Sequence, residues 1–213
     1  MQMKNNSLYD IWNQVPEDYY QKSIATSPLQ RIWHGRKLSL AKELLKKLEF
    51  KNLLDVGCAS GYMLSEIAKT SPGKQFFGVD IYDKAIKFAK IKYQNINFKV
   101  ATARGLPFAD NAFDVVICYE TIEHVEDPLA SLKEIRRVLK KGGTLILAMD
   151  SGNWLFRVIW FVWERTKGKV WRGSHLHPFH HNELESIVAR AGFKIKRKIF
   201  SHWGMEVVFV LGR

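Results

Sequence analysis

The sequence predicts an α/β fold, a doubly wound and mostly parallel sheet with helices on both faces, and three observations carry that prediction. From Asn52 onward short apolar runs alternate with helical patterns, as expected of parallel strands that are covered on both sides. The run Leu53-Leu54-Asp55-Val56 passes directly into Gly57-Cys58-Ala59-Ser60-Gly61, a buried strand that ends in a glycine turn. Nineteen residues past Gly61, Asp80 closes a second apolar run, Gln75-Phe76-Phe77-Gly78-Val79.

Taken in order, residues 1–50 precede the first strand and carry Trp12, Tyr19, Tyr20 and Trp33. Strands are expected at 52–57, 74–80, 96–101, 113–119 and 144–150, where β-branched and aromatic residues cluster between turn formers. Helices are expected near 60–70, 83–93 and 128–140, with Ser60 and Asp83 as N-caps and Gly142-Gly143 stopping the third. Residues 151–181 fall outside the repeat and are again rich in aromatic side chains. A helix at 182–191 ends at Gly192, and strands at 193–200 and 205–212 flank His202-Trp203-Gly204, close enough to pair as an antiparallel hairpin.

With 213 residues and 46% apolar content, the chain can bury one sizeable core, and a single domain over 1–213 is expected. Cys58 and Cys118 lie in apolar surroundings, which fits a reducing compartment. The first six residues lack the apolar core of a signal peptide, and no run reaches the roughly 20 apolar residues of a membrane span, so a cytoplasmic location is expected. The net charge of +12 is concentrated late in the chain, with 11 basic against 4 acidic residues past position 150. That surplus could attract phosphates, anionic lipid or an acidic partner, although Lys194, Lys196, Arg197 and Lys198 more simply solvate an exposed strand.

A glycine turn followed by an acid at the end of the next strand reads as a nucleoside-cofactor site, since the carboxylate can accept from two ribose hydroxyls. Four ordered segments narrow this further. Leu53 to Gly61 resembles the glycine turn of class I S-adenosylmethionine-dependent methyltransferases, and Gly78-Val79-Asp80-Ile81 resembles their acidic ribose loop. The segments Ala103-Arg104-Gly105-Leu106-Pro107-Phe108 and Asn111 to Val116 resemble the adenine loop and fourth strand. Glu120 to Pro128 and Leu139 to Leu145 resemble the following helix and fifth strand, and the group that the chain is most similar to includes quinone and sterol methyltransferases. The resemblance implies a Rossmann-like sheet of seven strands whose last strand is antiparallel. It also implies a division into an N-terminal helical lid over 1–50, a cofactor core over 51–150, a substrate-side insertion over 151–181, and a last helix and hairpin over 182–213.

S-adenosyl-L-methionine is the implied cofactor. Asp55 would order the turn, the backbone of Gly57, Cys58, Ala59 and Gly61 would lie against the cofactor, and Asp80 with Ile81 would hold the ribose. Thr102 stands where relatives carry an Asp, so adenine would be met by Thr102, Ala103 and Arg104, with Tyr119 at the end of the fourth strand. Ala59 replaces the middle glycine of the turn, which is tolerable if that residue keeps a negative φ.

Methyl transfer asks the protein to align the acceptor and exclude water, and a general base is required only for an acceptor such as a hydroxyl. His124, with Glu120 and Glu123 beside it, is the first candidate, and His175 is a second. His175, His177, His180 and His181 invite a metal reading, but no cysteine or paired carboxylate accompanies them, and no metal is expected. Tyr19, Tyr20, Trp33, Trp154 and His177 are candidates for the acceptor side.

The stretch Trp154 to Trp163 is apolar on nearly every side and must be covered. A lid over a small, hydrophobic acceptor is the first reading, with a peripheral membrane contact through 154–172 and a homodimer face as open alternatives. A nicotinamide-dependent oxidoreductase is disfavoured because Gly57 to Tyr62 lacks the third glycine of its turn. A nucleic-acid methyltransferase is disfavoured because Cys118-Tyr119-Glu120 offers none of the elements that hold a flipped base. A non-catalytic S-adenosylmethionine-binding regulator is the third reading.

Overall fold

The apolar runs form β1 (Asn52–Val56), β2 (Gln75–Asp80), β3 (Asn97–Val100), β4 (Phe113–Tyr119), β5 (Leu139–Asp150), β6 (Lys194–Ser201) and β7 (Glu206–Gly212). In this computed structural model, which describes residues 8–166, 168, 176–177 and 179–213, they make one sheet in the order β3-β2-β1-β4-β5-β7-β6. The first five strands pair in parallel, while β7 runs antiparallel to both β5 and β6. The seven-stranded α/β architecture, with helices packed on both faces and an antiparallel strand at the C-terminus, is the one expected.

Consecutive residues of β1 serve opposite faces, because side chains alternate along a strand. Leu54 and Val56 join Leu132 and Ile135 of α6 (Pro128–Val138) and Leu184 and Val188 of α8 (His181–Arg190). Leu53 joins Ala41 and Leu44 of α3 (Pro28–Leu45), Leu64 and Ile67 of α4 (Tyr62–Ala68), and Ile86 of α5 (Asp83–Lys92). Each of the leucine, isoleucine and valine side chains among them contributes roughly 1.5–3 kcal/mol by leaving water. Two short helices, α1 (Leu8–Gln14) and α2 (Tyr19–Thr26), lead into α3, and α7 (Trp154–Arg165) follows β5. Cys58 and Cys118 are both buried and unbridged.

Three local expectations change. Ser60 does not cap α4: Gly61 occupies that position at φ 72°, and the Ser60 hydroxyl reaches Gln21 Oε1 at 3.1 Å. Asp83 is the first residue of α5 rather than its cap, which is Tyr82, with no side-chain bond to the helix. Gly142-Gly143 do not stop α6, which ends at Val138 as Leu139 turns extended and opens β5. The two glycines instead belong to an irregularity in the β4–β5 register, where Phe113 faces Leu139 but Val115 faces Thr144. Gly142 takes φ 78° there, a conformation that suits a residue without Cβ.

Candidate active site

The strand order reverses between β1 and β4, and a crevice at such a switch point opens above the carboxyl ends of the strands. A cavity of about 300 Å³ lies there. Its floor is the glycine turn, with Gly57, Ala59 and Ser60, and one wall is the end of β2, with Asp80, Ile81 and Tyr82. Thr102, Ala103 and Arg104 form a second wall, and Tyr119, Glu120 and His124 a third. Trp12, Val15, Tyr19 and Tyr20 close it from the N-terminal helices. A second cavity of about 70 Å³ continues behind the turn, between Asp55, Cys58 and Tyr62 on one side and His34 and Lys37 on the other.

The turn is built from within. Gly57 N and Cys58 N donate to Val79 O at 2.8 and 3.0 Å, Ala59 N donates to Asp80 Oδ2 at 2.8 Å, and Gly61 N donates to Cys58 O at 2.8 Å. These four amides therefore bind protein and not ligand, so the turn meets a cofactor by its shape. Gly57 is required for that shape, because it has φ 82° and a Cβ would lie 2.0 Å from Thr121 Oγ1. Ala59 takes φ 45°, against the negative value expected of a residue with Cβ. The Asp80 carboxylate holds its amide in that left-handed position, which offsets the strain. Gly61 opens α4 but does not line either cavity.

Asp80 accepts from Ala59 N through one oxygen and from Tyr82 N through the other, at 2.8 and 2.9 Å. Each oxygen keeps a further lone pair toward the cavity, which fits a ribose diol. Burial raises the carboxyls of both acids, and Asp55 is pushed to about 8 by burial and then by the Asp80 charge. Opposite them, Arg104 pairs with the exposed Glu126 at 2.5 Å across the mouth. Tyr119 OH is buried without a hydrogen-bond partner, an orphaned group beside the turn that a polar ligand atom could satisfy. The cradle, the diol acceptor and the orphaned hydroxyl together fit a nucleoside cofactor.

Behind the wall formed by Tyr119 and Glu120 lies a charge network that the sequence does not reveal. Lys37 of α3 is buried, pairs with Glu120 and lies 3.7 Å from Glu206 of β7. Burial alone would raise the Glu120 carboxyl, but the Lys37 charge and hydrogen bond, helped by His34 and His124, pull it down to about 2. Glu120 is therefore a fixed anion. His34 is lowered to about 4 by burial and by Lys37. Glu206 also meets His202 Nδ1 at 3.0 Å, whose Nε2 lies 3.0 Å from Trp33 O. Burial, and then the charges of Asp150 and Glu120, push the Glu123 carboxyl well above the usual carboxylate range.

His124 reaches the cavity from the short helical turn Ile122–His124 and meets the Trp12 ring edge-on at 5.5 Å. Tyr19 and Tyr20 reach the cavity as expected, and Tyr20 is also edge-on to His34 at 5.4 Å. Trp33 does not: its ring packs on His202 at 4.1 Å, away from the cavity. Trp154 is 76% exposed and does not line the cavity, because its helix turns that side chain outward. His177 N donates to Glu123 O at 3.1 Å, and its ring stacks on Phe179, which ties it to the rim without opening onto the cavity. His175 lies outside the described residues. Among the described residues no group of three or more His, Cys, Asp or Glu side chains could hold a metal ion.

Comparison with known proteins narrows the assignment. Residues 54–147 match a family model described as a methyltransferase domain, which contains the turn, Asp80, the 102–104 wall, Glu120 and His124. The ubiquinone biosynthesis O-methyltransferase of Nitrosospira multiformis is 29% identical over 178 residues, 78% of this chain and 73% of that protein. The chain is a class I S-adenosylmethionine-dependent methyltransferase. The methyltransferase is also 25% identical to the demethylmenaquinone methyltransferase of Chlorobaculum parvum over 209 residues, 89% of this chain and 85% of that one. A solved methyltransferase of Thermotoga maritima shares its fold, with a TM-score of 0.69 at 23% identity, covering 97% of this chain and 99% of that one.

Proposed function

We propose that this methyltransferase acts in the cytoplasm on a small, apolar or aromatic acceptor bearing a hydroxyl, and that His124 is its general base. The observation that carries the reading is the meeting, in one cavity, of the nucleoside cradle with an aromatic wall of Trp12, Tyr19 and Tyr20 and a single histidine at their junction. S-adenosylmethionine supplies a methyl group already activated by its sulfonium charge. Asp80 with Ile81 would hold the ribose, Thr102, Ala103 and Arg104 would flank the adenine, and Asp55, Cys58 and Tyr119 would line the methionine end.

The aromatic residues of α1 and α2 exclude water and orient a flat acceptor against the turn. His124 takes the hydroxyl proton as the oxygen becomes the nucleophile. Glu120, held ionised by Lys37, stabilises the imidazolium that results, and Glu120 itself cannot serve as the base because its carboxylate is too weak a proton acceptor. The Nitrosospira multiformis relative, an O-methyltransferase of ubiquinone biosynthesis, supports an acceptor of this kind.

The test separates binding from chemistry. By calorimetry Asp80→Ala weakens S-adenosylmethionine binding at least about tenfold, the loss of a charge-assisted hydrogen-bonding group. His124→Ala leaves that affinity intact and lowers kcat toward a phenolic acceptor by about 10²-fold or more. Unchanged kcat in His124→Ala would remove the base from this histidine.

A further inference from the structure

Three segments distant in sequence meet at the carboxyl rim and present apolar side chains to water. None of the twelve residues of α7 is buried. Its inner side carries Phe156, Trp160 and Trp163, ring against ring at 5.7 and 4.9 Å, whereas Trp154, Val158, Phe161 and Val162 on the outer side are all more than half exposed. The start of α7 is tied to the β6–β7 turn, because Asn153 Nδ2 and Ser151 Oγ both donate to Gly204 O, at 2.8 and 2.6 Å. That turn holds Trp203, 79% exposed and kept at φ 56°. Its other side meets α3 through His202 and Trp33, and in α3 the neighbouring Ile32 and, one turn earlier, Leu29 are 64% and 79% exposed.

Two nearly naked tryptophans, one of them in a left-handed conformation that a bulky residue adopts only at a cost, argue for a surface that is used. The charges say by what. Across residues 28–36, 154–165 and 199–204 the basic residues are Arg31, Arg36, Arg157 and Arg165, all exposed, against a single acid, Glu164, already paired with Arg165 at 2.9 Å. A second copy docking through this face would set the four arginines against their own symmetry mates. An anionic lipid surface has the complementary sign, and aromatic and apolar side chains ringed by arginine suit its interface. Among the described residues no helix is long and apolar enough to cross a membrane, so the contact is peripheral.

We infer that α7, the β6–β7 turn and the start of α3 form one docking surface for an anionic bilayer. α7 lies along the membrane plane, with Trp154 and Trp203 set at headgroup depth and the arginines against lipid phosphates. The inference is independent of the acceptor and of catalysis, because its readout is binding alone.

The test is flotation of the full chain with vesicles of phosphatidylcholine, with and without about 30 mol % phosphatidylglycerol. The protein floats with the anionic vesicles, less so at high salt, and Trp154→Ser with Trp203→Asn weakens partition about tenfold. Asparagine tolerates the left-handed backbone at 203, and both side chains are solvent-facing, so the variant keeps the melting temperature of the parent. Protein that stays at the bottom of both gradients overturns the inference. So does a concentration-dependent dimer, seen by sedimentation, that the same two substitutions dissociate.

Discussion

Asp150 ends β5 beneath α7, buried, with Gly152 N donating to its Oδ1 at 3.1 Å. Burial, and then the Glu120 charge, raise its carboxyl to about 7, while Lys37 and Arg157 oppose the shift and Glu123 faces it as a second acid. In the unfolded chain the same carboxyl ionises near about 4. Its contribution to stability is therefore complete below that value and is lost as pH rises through about 7, and Asp55 adds the same sign through about 8. The melting temperature accordingly falls between about pH 5 and pH 8, and Asp150→Asn flattens that slope; a wild-type curve rising over this window would contradict the assignment. Neither Asp150 nor Lys37 could be picked out beforehand. A lysine on an amphipathic helix is ordinarily solvated, and only the packing of α3 against β4 and β7 brings Glu120 and Glu206 to it. Asp80 and His124 were legible because their positions depend on short-range features, a strand end and the loop after the next strand.

At the scale of elements, α6 does more than cover the sheet. Its Glu134 accepts from Leu106 N at 2.9 Å, and its Arg137 donates to Leu106 O and Phe108 O at 3.1 and 2.9 Å. The segment after β3 that supplies Thr102 to Arg104 is anchored in this way from below. Arg137→Ala frees two carbonyls, costs about 1–2 kcal/mol, and speeds amide exchange at Leu106 ahead of global unfolding. Exchange at Leu106 as slow as in the parent would show that the segment holds itself. Strand runs were readable to within a residue or two, since β4 spans Phe113–Tyr119 as its apolar run does. The start of β5 was not, because Leu139 to Gly143 carries polar and glycine residues, and its extended course is imposed by pairing with Phe113. For α7, periodicity revealed the excess of apolar surface but not its direction. Which side chains turn outward follows from the Asn153 cap, with Phe156 N donating to Asn153 Oδ1 at 2.7 Å, and from the tie to Gly204.

Over the whole molecule the cavity joins parts that are far apart in sequence: the N-terminal helices, the turn after β1 and the loop after β4. Tyr82 OH donates to Val15 O at 2.7 Å, and Ser60 Oγ meets Gln21 Oε1, so α1 and α2 are fastened to the cofactor rim on two sides. A ligand held by both halves shifts the unfolding equilibrium as a unit. At about a hundred times its Kd, S-adenosylmethionine raises the unfolding free energy by about 2.7 kcal/mol in a single transition. Two separate transitions on titration would mean that the N-terminal helices unfold on their own. The inward-facing amides of the glycine turn have one more consequence. A diphosphate asks a loop of this kind for free N–H donors, and here Gly57, Cys58, Ala59 and Gly61 have none to give. A diphosphate would find no partner in those four amides, whereas an adenosine compound without phosphates asks nothing of them.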